Sequence, residues 1–345
     1  SSVDGSAITL EGASPVLKNV TITDNYSIGT NAGAFYSLND AYPDLQNCII
    51  WGNHGGDLQA NGNSSMTVNY SNIRGTWAGE GNINANPLFC NENINNYTLA
   101  ENSPCIGSGA NGENMGANNI GCGVIYAGPD WYVSDIGSDQ NGDGSYMNPF
   151  ATIQRGIDYC NIGDTVKVSA GTYNENINWP ESNGISLIGS DAYDCIIDGN
   201  QNGSAISIDS ELVDSNTVIN GFTIQNGYNY YGGGINIINA SPSLENLIIT
   251  SNNGVRGGGL STNSNIRIKN TIFNNNSSNS RGGGAHFNYS NATLVNVIFQ
   301  NNNSAYGGGI YLDNSSIFLK SSSIVNNASN SRGGGMYLIN SNPII

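Results

Sequence analysis

The sequence predicts an all-β fold, a right-handed parallel β-helix, on three observations. Glycine triplets begin at Gly232, Gly257, Gly282, Gly307 and Gly333, which is a step of 25 residues taken three times and then one of 26. An apolar residue followed three positions later by asparagine recurs at Ile22/Asn25, Ile50/Asn53, Ile249/Asn252, Phe273/Asn276, Phe299/Asn302 and Ile324/Asn327. Of 345 residues, 46 are glycine and only 10% are charged, a composition that favours strands and turns over helices.

The step comes first, because self-similarity at a fixed period is the signature of a solenoid. After each triplet runs an alternating segment (GGGINI, GGGLST, GGGAHF, GGGIYL, GGGMYL), then a polar turn, then two further short segments, as in SLENLIITSNN and TLVNVIFQNNN. Period-two alternation in such short runs means strands, three to each coil. Turns too short for helical crossovers leave each strand parallel to its counterpart one coil later, at a spacing of about 4.8 Å. Right-handed winding is the expected sense, by the chirality that governs parallel crossovers.

Asparagine at one coil position makes a ladder. Asn25, Asn53, Asn252, Asn276, Asn302 and Asn327 are expected to hydrogen-bond amide to amide, satisfying polar groups at a turn that would otherwise lack partners.

In chain order, residues 1–81 read as the C-terminal coils of a first β-helix. Residues 82–126 are turn-rich and lose the period, as a closing module and linker should. Residues 127–345 read as a second β-helix with its starting cap at 131–165 and its regular triplet coils at 227–345. In the cap, Phe150, Ile153 and Ile157 recur at helical spacing after Pro149, which predicts one short amphipathic helix near 149–160. Laid over the first coil, that helix would hide its apolar cross-section and unpaired edge. The first block lacks a start and the second stops in mid-coil at SNPII, so the chain is expected to be a fragment of a longer repeat protein.

The formal net charge is −16, and ten Lys and Arg are too few to neutralise a phosphate backbone, so nucleic acid is not an expected partner. The charge is unevenly spread. Residues 1–226 carry 24 acidic side chains against four basic ones, net −20, whereas residues 227–345 carry two against six, net +4. No apolar run approaches the roughly 18 residues of a membrane span. Six cysteines without a CxxC, beside two histidines, do not suggest a zinc site, and disulfide pairing cannot be read from their spacing.

Residues 131 to 200 resemble the opening segment of many bacterial secreted, pectin-lyase-like β-helix proteins in YVSDIGSD, NPFATIQRGID, GDTVKVSAGTYNENI and IIDG. The later GGGI and FNNN or FQNN repeats are similar to the paired GG-x-I and F-x-x-N motifs of polymorphic outer-membrane adhesin repeats. The resemblance implies a secreted or cell-surface location and a polysaccharide or surface glycan as partner. It specifies fold more than function, because β-helices host lyases, hydrolases, adhesins and fibres alike. In the lyases of this resemblance, calcium-binding aspartates and a Lys or Arg base act on uronate polymers.

Three constellations bear on chemistry. Asp139, Asn141, Asp143 and Gly144 match the first half of a calcium loop, but its twelfth position is Phe150, so an EF-hand is excluded and a looser calcium site remains open. Acid pairs for glycoside cleavage need carboxyls about 5 to 10 Å apart. Glu245 and Asp313, about three coils apart, do not meet that, and the cluster Asp191, Asp194, Asp198 and Asp209 reads as turns around a buried strand. Basic candidates for a lyase, Arg267, Lys269 and Lys320, read as solvated outward side chains.

The third constellation is a surface. The residue before each triplet is Tyr231, Arg256, Arg281, Tyr306, Arg332, and two positions after it stand Asn236, Ser261, His286, Tyr311, Tyr337. Both rows are expected on one face, with bare glycines as a shallow channel between them. Tyr beside Arg suits sugar rings and carboxylates. The expected function is a non-catalytic adhesion or glycan-binding scaffold using Tyr231, Arg256, Arg281, Tyr306, Arg332, His286, Tyr311 and Tyr337. The alternative is a calcium-dependent, pectate-lyase-like polysaccharide lyase, or another carbohydrate-active β-helix enzyme.

Overall fold

A computed structural model of the chain describes residues 7–26, 34–53, 57–75 and 77–345. It forms two compact units, residues 1–127 and 128–345. The chain is an all-β parallel solenoid with one α-helix among the described residues, matching a right-handed parallel β-helix.

In the first unit, Ile8–Glu11, Phe35–Leu38 and Leu58–Ala60 stack as one parallel sheet, Val16–Lys18, Asp44–Gln46 and Thr67–Asn69 as a second, and Thr21–Thr23, Ile49–Trp51 and Asn72–Ile73 as a third. Ile22, Phe35, Leu45, Ile50, Val68 and Ile73 point into their common core. Beyond these coils the pattern changes: Phe89–Asn91 pairs antiparallel with Asn96–Ala100, which pairs in parallel with Ile120–Cys122. A disulfide, Cys90–Cys122, ties the first strand of this group to the last. Cys48, Cys105, Cys160 and Cys195 are buried and lie outside this disulfide.

The second unit opens with Asp130–Val133, against which the helix Ile153–Tyr159 packs through Gly156; a Cβ there would lie 2.9 Å from side-chain carbons of Val133 and Val166. Ile153 and Ile157 are fully buried. Trp131 stacks on Phe150 and donates from Nε1 to Asp164 at 2.9 Å, which fixes the apolar centre of this opening turn.

From there the strands run in parallel ladders. One follows the triplets: Ile206–Asp209, Ile235–Ile238, Leu260–Thr262, Ala285–Asn288, Ile310–Asp313 and Met336–Ile339. Its inward positions place Ile206, Ile235, Leu260, Ala285 and Ile310 one above another, all fully buried. In another ladder Phe273 and Phe299 stack at 4.6 Å and 6°. Each such large apolar side chain contributes roughly 1.5–3 kcal/mol by burial.

The structure adds a further strand immediately before each triplet. Tyr228–Tyr231, Asn253–Arg256, Ser277–Arg281, Asn303–Tyr306 and Ala328–Arg332 form a five-stranded parallel sheet of their own. These segments read as polar turns because their inward register is filled by small residues, Gly254, Ser278, Ser304 and Ser329, rather than by apolar ones.

The glycines of a triplet serve different needs. The first adopts positive φ, +57° to +71° across the five triplets, where a side chain is strained. A Cβ on the second, such as Gly258, would run into the carbonyl oxygen of Ser277 on the next coil, and one on Gly234, Gly259, Gly284 or Gly309 would sit 2.6 Å from a neighbouring glycine carbonyl.

Candidate functional site

The ladders of the triplet coils build the candidate site. The residue before each triplet ends one strand, the glycines bend the chain, and the next strand begins. Strand register puts Tyr231, Arg256, Arg281, Tyr306 and Arg332 in one line. A second line holds Asn236, Ser261, His286, Tyr311 and Tyr337.

The two lines touch. The Arg281 guanidinium lies 5.1 Å from the ring centroid of Tyr311. The Tyr306 and Tyr337 rings are 5.5 Å apart, and Arg332 Nη1 approaches Tyr337 Oη at 3.5 Å. Arg256 turns instead onto its own row, 5.5 Å over Tyr231 and 5.7 Å over Tyr230, with Nη1 donating to Tyr231 Oη at 3.3 Å. Arg281 also pairs with Asp313 at 3.2 Å. Arginines on successive coils would repel; each is drawn to a different aromatic, and one to a carboxylate.

The channel expected between the rows is not floored by bare glycine. The glycines of the first four triplets are buried, because each is enclosed by the backbone of the coils beside it. What lies open is the aromatic and guanidinium fringe, with Tyr231 and Tyr306 exposed by 40% and 37%. The second row sits lower: Ser261, His286 and Tyr311 are buried. Burial, with the charges of Arg281 and Arg256, pushes the His286 imidazole down to about 3, so it is neutral at physiological pH. Burial pushes the Tyr311 hydroxyl up.

The asparagines form a buried relay in the same unit. Asn252 donates from both its backbone N and Nδ2 to Asn276 Oδ1 (3.1 Å each), Asn276 to Asn302 Oδ1 (2.9 and 3.1 Å), and Asn302 to Asn327 Oδ1 (2.9 Å each). Each Nδ2 also reaches a main-chain oxygen one coil back, as Asn276 does to Ile249 at 2.8 Å. In the first unit, Asn25 donates to Asn53 Oδ1, and Asn53 Nδ2 donates in turn to buried Asp57 at 2.9 Å. Burial drives the Asp57 carboxyl up to about 7, despite that donor and the Arg74 charge.

Asp139, Asn141 and Asp143 occupy a hydrogen-bonded loop. Asp139 accepts from the backbone N of Ala151 and Thr152 and from Thr152 Oγ1 at 2.7–3.1 Å. With Glu175, which accepts from Ile153 N and Gln154 N, it supplies acceptors to the donors at the helix start. Asp143 accepts from Ser145 N, and Asn141 is held through Ser138 and Asn148. Among the described residues, no three His, Cys, Asp or Glu side chains come together as a metal's ligand set.

Asp191 and Asp198 accept from turn residues of their own, Tyr193 and Asn200, and Asp198 also from Gln225 and Asn226. Glu245 lines up with Lys269 and Lys320 in a sheet other than that of Asp313, so these carboxylates do not pair. Arg267, Lys269 and Lys320 are exposed.

Sequence reasoning missed three features. Asp313 is the partner of Arg281, Tyr230 is a second ring under Arg256, and Asn220, Asn246, Asn270 and Asn296 form another, exposed amide ladder at 2.9–3.0 Å. The last has a legible signal, since those asparagines recur at the coil step. In the first unit, a cleft of about 420 Å³ is lined by Thr21, Thr23, Asn25, Tyr97 and Asn118, with no basic side chain among the described residues that line it.

No family model matches the chain, and no curated protein does. Among solved structures, a pectin methylesterase from carrot matches 63% of this chain and 90% of its own, at 12% identity and a TM-score of 0.35. The fold rests on the strand registers above rather than on that likeness.

Proposed function

We propose that this chain is a non-catalytic, glycan-binding segment of an extracellular or cell-surface β-helix protein, adhering to polysaccharide through the paired ladders. The observation that carries the reading is a single register line made up of Tyr and Arg, Tyr231, Arg256, Arg281, Tyr306, Arg332, with Tyr311 and Tyr337 beside it. The half-open rings of Tyr231 and Tyr306 offer apolar faces to sugar C–H groups, and guanidinium forks offer paired donors to hydroxyls or carboxylates. The coil repeat presents them at about 4.8 Å intervals, so one polymer meets several at once.

The net charge of +4 on residues 227–345 favours an acidic polymer. The disulfide Cys90–Cys122 suits export to an oxidising compartment. The carboxylate nearest the ladders, Asp313, is engaged by Arg281 rather than by a second acid, which supports binding over hydrolysis.

A glycan array compares the chain with the double variant Arg256→Ala/Arg281→Ala. Binding that is at least tenfold weaker in the variant is expected; unchanged binding would remove the ladders from the account. Calcium-dependent release of unsaturated uronate from pectate would replace it with the lyase reading.

A further inference from the structure

The six basic side chains of residues 227–345 divide into two sets of three. Arg256, Arg281 and Arg332 stand in the fringe beside the triplets. Arg267, Lys269 and Lys320 stand in another sheet, and the glycan face proposed above leaves them unused.

Strand alternation turns all three outward. Arg267 and Lys269 flank Ile268, and Lys320 follows Leu319; both apolar side chains are buried, and the three cations are exposed. One register line carries Lys269 through Val295 to Lys320, and the line beside it carries Arg267 through Thr293 to Phe318. Lys269 and Lys320 are therefore about 10 Å apart across two coil steps, with Arg267 about 7 Å along the strand from Lys269. Among the described residues none of the three has an ion-pair partner, whereas Lys18, Lys167 and Arg281 each have one. Glu245 precedes Lys269 in its line but accepts instead from Ser243 Oγ at 3.0 Å. Like charges gathered on one face repel, and a bound polyanion relieves that repulsion.

The exposed amide ladder runs beside these cations. Asn270 and Asn296 each use one Nδ2 hydrogen on the preceding coil, at 2.9 Å, which leaves the other for solvent or a ligand. The strip thus offers three whole positive charges and a row of amide donors against one engaged carboxylate. A small anion meets only part of it, because the cations spread over three coils instead of converging on a point. A linear polyanion meets them together. A broad anionic membrane also meets the rest of a chain of net charge −16, which repels it, while a single polymer strand follows the strip alone.

We infer that Arg267, Lys269 and Lys320, with the Asn270 and Asn296 amides, form a second binding strip that takes an acidic polysaccharide strand lengthwise across the coils. It lies on a different sheet from the Tyr and Arg fringe and does not depend on it. With both occupied, one chain holds two polymer strands and cross-links them.

Lysine acetylation read by mass spectrometry tests the strip on the unaltered full chain. Lys269 and Lys320 belong to it, Lys18 and Lys167 lie elsewhere, and the fringe contains no lysine. At physiological salt, dextran sulfate is expected to slow acetylation of Lys269 and Lys320 at least fivefold and that of Lys18 and Lys167 less than twofold, with uncharged dextran slowing none. Equal slowing of all four, no slowing at Lys269 and Lys320, or the same effect from dextran overturns the strip. Phosphatidylglycerol vesicles that protect the two lysines as well as dextran sulfate does overturn it in favour of a lipid surface.

Variants separate the strip from the fringe. In Arg256→Ala/Arg281→Ala the protection of Lys269 and Lys320 is expected to remain, and its loss overturns an independent strip. Adding Arg267→Gln/Lys269→Gln/Lys320→Gln to that double variant is expected to weaken dextran sulfate binding at least tenfold in isothermal titration, and unchanged affinity overturns the assignment. Unprotected lysines in a chain whose glycan-array binding stands remove the strip alone; an array failure with the lysines still protected removes the fringe alone.

Discussion

Replacing Asn276 by alanine tests the buried relay at its centre. The side chain accepts from Asn252 N and Asn252 Nδ2, both at 3.1 Å, and donates to Ile249 O at 2.8 Å and Asn302 Oδ1 at 3.1 Å. Truncation leaves the Asn252 amide without its acceptor in a site 1% exposed. A buried donor stranded in this way costs about 1–3 kcal/mol, and each further bond lost about 1 kcal/mol, so the expected destabilisation is about 3–5 kcal/mol. The exposed ladder supplies the control. Asn270 donates to Asn246 at 2.9 Å and accepts from Asn296 at 2.9 Å, but water can replace both contacts. Asn270→Ala should therefore cost little beyond placing alanine at the positive φ of 51° that asparagine tolerates, about 1–2 kcal/mol. Because coils couple mainly to their neighbours, a global melt would blur the comparison. Amide hydrogen exchange read over residues 224–327 resolves it, with exchange accelerated around the Asn276 coil and its neighbours. Equal protection in the two variants would refute the claim that burial, rather than the ladder pattern itself, gives the relay its weight.

Other perturbations separate the remaining parts. Gly258→Ala drives a Cβ into the carbonyls of Ser277 and Gly283 and should destabilise by about 3 kcal/mol or more. Gly254→Ser, although serine stands at this register in the next three coils, brings a Cβ to 2.9 Å from the Gly257 carbonyl oxygen and should cost about 1–3 kcal/mol in chemical unfolding. His286 is lowered to about 3 in the fold, against about 6.5 unfolded, so the unfolded chain binds more protons between these values. Stability of the second unit is then lost as pH falls through that window, by about 2 kcal/mol from pH 7 to 5, and His286→Phe should abolish the slope. Asp57 runs the other way. With its carboxyl raised to about 7, the fold binds the extra proton, so the first unit loses up to about 4 kcal/mol as pH rises from about 4 to 7. Exchange protection in residues 1–127 that does not vary with pH, or a slope retained by Asp57→Asn, would contradict that assignment.

The coil step made much of the fold legible. Regular spacing of the triplets and of the apolar-x-x-Asn motif fixes which residues stack, and apolar alternation after each triplet marks the inward face. The strands before the triplets were not legible, because small residues such as Ser278 and Ser304 fill a narrow interior without an apolar signature. For the same reason the glycines looked like an open channel: sequence shows the missing side chain, but not the neighbouring carbonyl that forbids one. At the candidate site, register follows from the step alone. Depth does not: only packing shows that His286 and Tyr311 lie beneath the fringe of Arg281, or that Asp313 reaches it from the far end of its strand. Aspartates such as Asp139, which read as a cation loop, depend on where a distant helix begins, a relation carried by tertiary contact rather than by spacing.

The central claim, that five stacked coils present one continuous glycan face, is tested most directly with a length series. Acidic oligosaccharides of increasing size are titrated into the full chain. Affinity is expected to rise until the oligosaccharide spans the register line from Tyr231 to Arg332, about 19 Å at the inter-strand spacing, and then to level off, with Arg256→Ala/Arg281→Ala flattening the rise. Affinity independent of length, or a rise that the double variant leaves intact, would contradict it.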